Sequence, residues 1–285
     1  MSYLRHIRAC NRYHRSDFIP FRIDRVRVGM LRPGFAAHLA RWSDIFQVAP
    51  DAVDLLLPGL TMAERSSIVS GVLVELTESG VISHLHGEQY LATPGDRDKG
   101  MLLLDRAAAP YFGIRAFGQH MNGFTWEDGE MKLWLGRRSH DRIHYPGRLD
   151  NLVAGGLPAE IGLRENLTKE CWEEAGINAE TAAKARPVGA ITYNMDSENG
   201  LKPDTLFCYD LELPAAFTPK CVDGEVAGFE LVPIRDVMNI VSESDEFKLN
   251  CNLVLIDLFI RHGYLGPDHD EYHDLVTGLH PELAV

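Results

Sequence analysis

Between residues 155 and 177 the chain runs Gly155-Gly156-Leu157-Pro158-Ala159-Glu160-Ile161-Gly162-Leu163-Arg164-Glu165-Asn166-Leu167-Thr168-Lys169-Glu170-Cys171-Trp172-Glu173-Glu174-Ala175-Gly176-Ile177. No other stretch constrains the fold as tightly. Its glycines and proline predict a loop, the uninterrupted run after it predicts a helix, and Gly176 predicts the helix stop. Glu170, Glu173 and Glu174 stand at i, i+3 and i+4, so they share one helical face within a turn. Carboxylates so placed repel one another, and a helix gains from them only when a cation sits between. Their oxygens are hard ligands suited to Mg²⁺ or Mn²⁺. An acidic run is most often a solvated face; the glycine loop upstream favours the ligand reading here.

The stretch resembles the signature of the Nudix hydrolases: Gly, five residues, Glu, seven residues, then Arg-Glu-apolar-any-Glu-Glu-any-Gly-apolar. Counted from Gly155 the spacing fits, with Glu170, Cys171, Glu173, Glu174, Gly176 and Ile177 in register. Two positions depart: Ile161 stands where the first Glu is expected and Lys169 where Arg is expected. Lysine keeps the charge and loses the bidentate fork, and Ile161 binds neither metal nor water. The wider text from Trp134 through Arg137-Arg138-Ser139, Tyr145-Pro146-Gly147 and Leu149-Asp150-Asn151 resembles one branch of that family, the thiamine pyrophosphokinase-related Nudix proteins. The branch resemblance implies the same two departures and an N-terminal domain of similar length.

That resemblance implies an α+β fold: a Nudix-type α/β/α sandwich with a mixed sheet, preceded by a smaller α+β domain. The division expected is an accessory domain over 1–110, the Nudix domain over 111–245, and a C-terminal helix and tail over 246–285 packed on it. It also implies metal-dependent cleavage of a diphosphate linkage, with thiamine diphosphate or its oxidised analogues as substrate. Glu170, Glu173, Glu174 and the Gly155 carbonyl are then the metal ligands. A glutamate beyond the helix often adds a ligand or base in this family; Glu225 and Glu230 are the candidates, and the glycine beside Glu225 favours it. The proton acceptor is left between Glu170 and Glu225, and Lys169 is expected to fix a carboxylate by an ion pair.

The remaining sequence sets the context. A length of 285 residues accommodates two domains, and 45% apolar residues accommodate a core. A net charge of −13 argues against nonspecific nucleic-acid binding and leaves room for a diphosphate in a local basic pocket. Arg137, Arg138 and Arg148 lie in such a basic segment; it reads either as a solvated loop or as a wall that receives phosphate oxygens. Residues 1–20 carry arginines and histidines and no apolar core, which argues against a secretory signal, and no run is long enough to span a membrane. Five scattered cysteines without a Cys-x-x-Cys pair suit a reducing cytoplasm.

Element by element, Phe21–Val28 is expected as a strand and Phe35–Trp42 as a helix. Met62–Ser79 is expected as a helix with a capping box at Thr61 and Glu64. The first ~105 residues show no catalytic constellation, and His84 and His86 read as surface histidines. A hairpin is expected to turn at Asp128-Gly129. Val188–Asn194 and Thr205–Leu213 are expected strands, with a polar loop over 196–204. The apolar helix over 247–262 is expected to pack on the sheet or to form a homodimer contact. A noncatalytic diphosphate-binding module is the alternative function, supported by Ile161; ADP-ribose and nucleotide sugars are the alternative substrates.

Overall fold

The computed structural model describes residues 2–285. After helix α1 (Leu4–Cys10), strands β1 (Ile19–Ile23) and β2 (Val26–Leu31) form a hairpin. The single strand expected over Phe21–Val28 is therefore two. The chain reverses at Asp24-Arg25, both with positive φ (50° and 69°), a turn that glycine or asparagine normally announces. Helix α2 (Pro33–Leu39) leads to the hairpin β3 (Phe46–Ala49) and β4 (Ala52–Leu55), and the sheet order is β2-β1-β4-β3 with β1 parallel to β4. Helix α3 (Met62–Glu78) opens with the expected capping box: Thr61 Oγ1 accepts from Glu64 N, and the Glu64 carboxylate accepts from Thr61 N at 2.8 Å. Its inner stripe, Val69, Val72, Leu73 and Leu76, is buried with Phe21, Phe46 and Phe112. The short ribbon β5 (Gln89–Ala92) and β6 (Leu102–Asp105) and the turn of helix α4 (Ala109–Phe112) complete this half.

The second sheet has seven strands. Strands β7 (Ala116–Glu127) and β8 (Glu130–Arg138) form the hairpin expected at Asp128-Gly129. Strand β9 (Leu149–Asp150) pairs with β8, and β10 (Val153–Gly156) pairs with β7. Helices α5 (Leu163–Ala175) and α6 (Ala179–Ala182) follow. Strands β11 (Arg186–Ser197), β12 (Gly200–Glu212) and β13 (Val226–Pro233) give the order β11-β12-β7-β8-β13. Only β12 and β7 in this sheet are recorded as parallel, so the sheet is mixed. The polar loop expected over 196–204 is instead the end of this long hairpin, turning at Glu198-Asn199. Only its tip, Glu198-Asn199, is exposed, and Leu201, Pro203 and Asp204 are buried.

Both faces of the sheet are covered, so most of β7 is buried regardless of side-chain alternation. One face packs on α5 through Met121, Leu152, Val153, Leu167, Cys171 and Ala175. The other face packs on helices α7 (Ile234–Glu243), α8 (Cys251–Arg261) and α9 (Tyr272–Gly278), and on α1 returning from the start of the chain. Helix α8 buries Leu253, Leu255, Leu258 and Phe259 within the chain itself, against the sheet and its neighbouring helices. No helix among the described residues is long and apolar enough to cross a membrane.

Candidate active site

Strand β10, the loop over 157–162 and helix α5 place the signature residues. The glycine loop expected at 155–156 is strand here: Gly155 pairs with Gln119 and Gly156 with Gly118 of β7. Glycine is needed there because of what lies against it. A Cβ on Gly155 would come within 2.5 Å of Glu170 Cδ, so the Glu170 carboxyl rests on the Gly155 backbone. Helix α5 ends as expected at Gly176, φ 65°, whose N–H returns to carbonyls of the last turn.

The three carboxylates occupy distinct environments. Leu167, Cys171, Glu174 and Ala175 form the inward stripe of α5, so Glu174 is buried. Its Oε2 accepts from Ala154 N at 2.7 Å, and burial, with Asp150 adding to it, pushes its pKa up to about 8. The Glu170 side chain is 14% exposed, and burial raises its pKa against the pull of Lys169. Glu173 is the outermost of the three, with its side chain 36% exposed. Lys169 reaches Glu170 at 3.3 Å and Glu173 at 2.9 Å, an ion pair to each.

This donor set fits a divalent cation of the hard class. Glu170 and Glu173 offer oxygens on one helical turn, and the missing Cβ of Gly155 lets the strand backbone come up to Glu170. The buried carboxylates repel one another and carry raised pKa values. A cation would relieve that arrangement.

Glu225 lies in the turn before β13. Its side chain pairs with Arg142 at 2.6 Å, and its charge adds in small part to the burial that raises the pKa of Glu170. Glu230 on β13 is engaged by Arg137 at 3.1 Å. The three arginines expected to receive phosphate all donate to the protein. Arg137 also reaches Glu246 at 3.6 Å, Arg138 holds Asp150 at 2.9 Å and the His144 carbonyl, and Arg148 donates to the Asp245 carbonyl.

The sequence suggests an accessory domain over 1–110 but flags none of the residues it brings to the signature. Tyr90 and Arg106 stand over Gly156: a Cβ there would meet Tyr90 Oη at 2.3 Å and Arg106 Cζ at 3.4 Å. Arg106 pairs with Glu88 at 2.8 Å and lies within electrostatic reach of Glu225. Arg97 contacts the loop between β10 and α5. No local pattern flags these residues, since their partners are distant in the sequence. His84 and His86 are exposed, as read.

Behind the sheet's other face, His120, Asp150 and Cys251 bring three donor atoms within 4.8 Å of one another, all buried. Charge argues against a metal there. Asp150 already takes Arg138 at 2.9 Å and Lys248 at 3.2 Å, and the Cys251 thiol donates to it at 2.7 Å. A dication added beside two cations would be repelled. Burial and the same lysine hold His120 down to about 4, and its Nδ1 faces Asn151 Oδ1 at 2.8 Å. The cluster is a buried polar network that fixes β7, β9 and the start of α8.

A family model described as a domain of unknown function (DUF4743) matches residues 2–116. The chain is 42% identical to Nudix hydrolase 20, chloroplastic, of Arabidopsis thaliana, over 96% of this chain and 76% of that protein. It is 40% identical to Nudix hydrolase 24, chloroplastic, of the same plant, over 97% of this chain and 77% of that one. Among solved structures, DR0079 from Deinococcus radiodurans is 19% identical, covering 59% of this chain and 97% of that one, with a TM-score of 0.45. With a mixed sheet between helical layers, the signature on β10 and α5, and relatives of this identity across nearly the whole chain, the protein belongs to the Nudix hydrolase family.

Proposed function

We propose that this Nudix hydrolase cleaves the diphosphate of thiamine diphosphate or of its oxidised analogues, releasing the monophosphate and orthophosphate, with Mg²⁺ or Mn²⁺ as cofactor. The observation that carries the metal part is the seating of the Glu170 carboxyl on the Gly155 backbone, beside Glu173 and Glu174. The substrate part rests on the resemblance of the text around residues 134–151 to the thiamine pyrophosphokinase-related branch.

In this reading Glu170, Glu173, Glu174 and the Gly155 carbonyl hold the ion. When bound, it supplies positive charge to the diphosphate oxygens and acidifies the attacking water. Lys169 keeps Glu170 and Glu173 pointed together. The water adds to phosphorus, the bridging P–O bond breaks, and the water proton passes to Glu170 or Glu225. Arg137, Arg138 and Arg148 form the proposed phosphate-facing wall, and each exchanges a protein acceptor for a phosphate oxygen as substrate arrives. Residues 1–110 act as an accessory domain that shapes the cleft over Gly156.

The test is product release from a panel of thiamine diphosphate, its oxidised analogues, ADP-ribose and nucleotide sugars, with Mg²⁺ or Mn²⁺ present. Turnover of a thiamine compound is expected; turnover of none removes that substrate. A second reading, a noncatalytic diphosphate-binding module, is favoured by Ile161 at the first Glu position and by the burial of Glu174. Calorimetric binding without turnover across the panel would support it.

A further inference from the structure

The loop that joins β10 to α5 is gripped from outside the signature. The Arg97 guanidinium reaches the carbonyls of Pro158 at 2.9 Å, Ala159 at 3.3 Å and Ile161 at 2.8 Å through Nη2, and of Leu157 at 3.4 Å through Nη1. Its planar fork also lies 5.8 Å from the Phe117 ring centroid. The same loop is pinned a second time by the Ala159 N–H, which donates to the Gln89 carbonyl at 2.8 Å. Arg97 is itself held in place: Thr93, fully buried, donates to the Asp96 carbonyl at 2.7 Å, and Arg115 donates to the Gly95 carbonyl at 3.2 Å.

We propose that Arg97 is a positioning residue for the hydrolytic site: it fixes the 157–162 loop and so sets Glu170 on Gly155. This rests on the metal-site reading above. Only this loop connects Gly155 and Gly156 directly to the helix that carries Glu170. The chain has no carboxylate at 161 to organise the loop from within, and Ile161 contributes its backbone carbonyl to Arg97 instead. The segment carrying Arg97 thereby becomes part of the catalytic apparatus although it touches no reacting atom. A guanidinium suits the task because it presents several donors in one plane, whereas an ammonium is a point charge.

The test uses the full chain and the variants R97A and R97K. Two readouts are independent of substrate: Mn²⁺ affinity by electron paramagnetic resonance, and hydrogen exchange at the amides of 157 and 159–162. R97A is expected to lower Mn²⁺ affinity by about 10- to 100-fold, the usual effect of losing a supporting partner of a metal ligand. Exchange in the loop is expected to rise while the thermal midpoint stays close to the parent's, because the α5 core stripe is untouched. Added guanidinium should restore Mn²⁺ binding to R97A and not to E170Q. R97K should fall between R97A and the parent, and it decides the matter if R97A does not fold. Parent-like loop exchange and Mn²⁺ affinity in R97A would overturn the proposal. A parent chain that binds no Mn²⁺ would defeat the metal reading instead, and loop exchange alone would then judge the grip of Arg97.

Discussion

Replacing Gly155 with alanine adds one methyl group where the Glu170 carboxyl now sits. The new Cβ would stand 2.5 Å from Glu170 Cδ, 2.7 Å from Oε2 and 2.9 Å from Cγ. Carbon atoms pack at about 3.5–4.0 Å, so the carboxyl must withdraw by about 1 Å. The φ of Gly155 lies outside the left-handed region, so the backbone itself tolerates alanine. What must give is the far end of a flexible side chain, and the cost in stability should stay near the lower end of the about 1–3 kcal/mol typical of overpacking. The cost in function should be much larger. A displacement of about 1 Å in a catalytic group costs about 100-fold in rate. Turnover and Mn²⁺ affinity measured beside thermal denaturation separate the two effects. Gly71→Ala is the control, since nothing lies within 4 Å of its added methyl. Parent-like turnover and Mn²⁺ affinity in G155A would refute the claim that Glu170 works from its seat on Gly155.

Three other outcomes are expected. Glu173→Gln should lower metal-dependent turnover by more than about 100-fold, beyond the loss of a merely supporting residue, with little change in thermal midpoint; retained turnover would remove Glu173 from the ligand set. His120 is held neutral in the fold, with its pKa lowered from 6.5 to about 4, so the unfolded chain binds the extra proton first on acidification. Its contribution is complete above pH 6.5 and is lost as pH falls toward 4; at about 1.4 kcal/mol per unit this amounts to about 3 kcal/mol. The stability difference between the parent and His120→Gln, measured by urea denaturation, should shift by that amount across the window; taking the difference removes the opposing slope from Glu174, whose pKa is raised to about 8. Arg261→Ala would leave Asp210, which is 1% exposed and held by the arginine at 2.6 Å, with only Asn122 and His262, and should cost toward the lower end of about 3–5 kcal/mol by denaturant melt; a loss below about 1 kcal/mol would contradict it.

Where a local rule was decisive, the sequence could be read. Thr61 with Glu64 opens α3, Asp128-Gly129 turns the β7–β8 hairpin, and Gly176 closes α5; each depends on neighbours within a few positions. The Asp24-Arg25 reversal could not be read, because Arg25 stands where such a turn usually carries glycine and arginine seldom adopts a positive φ. The acidic triplet was legible as a cluster on one face but not in its gradation of burial. Helical spacing places Glu174 with Leu167 and Cys171, yet only the approach of Ala154 shows that one of its two carboxylate oxygens accepts from a backbone amide. The polar hairpin end at 196–204 resembled a loop because its burial comes from the other half of the molecule. For the same reason Tyr90, Arg97 and Arg106 were invisible: their contacts on 156–161 lie tens of residues away, where no periodicity or motif can register them.

Helix α1 has a consequence for how the molecule is made. Tyr3, Leu4, Ile7 and Cys10 share a core with Val241, Leu253, Phe259 and Leu275, and His6 Nε2 meets the Val241 carbonyl across 235 positions. During synthesis this apolar face emerges well before its partners, and its shelter is completed only once Leu275 has been made. A nascent chain must keep it out of trouble for that interval. Trimming the polypeptide to begin at residue 111 would strip the lid from the closing helices and leave an apolar wound on the hydrolase half.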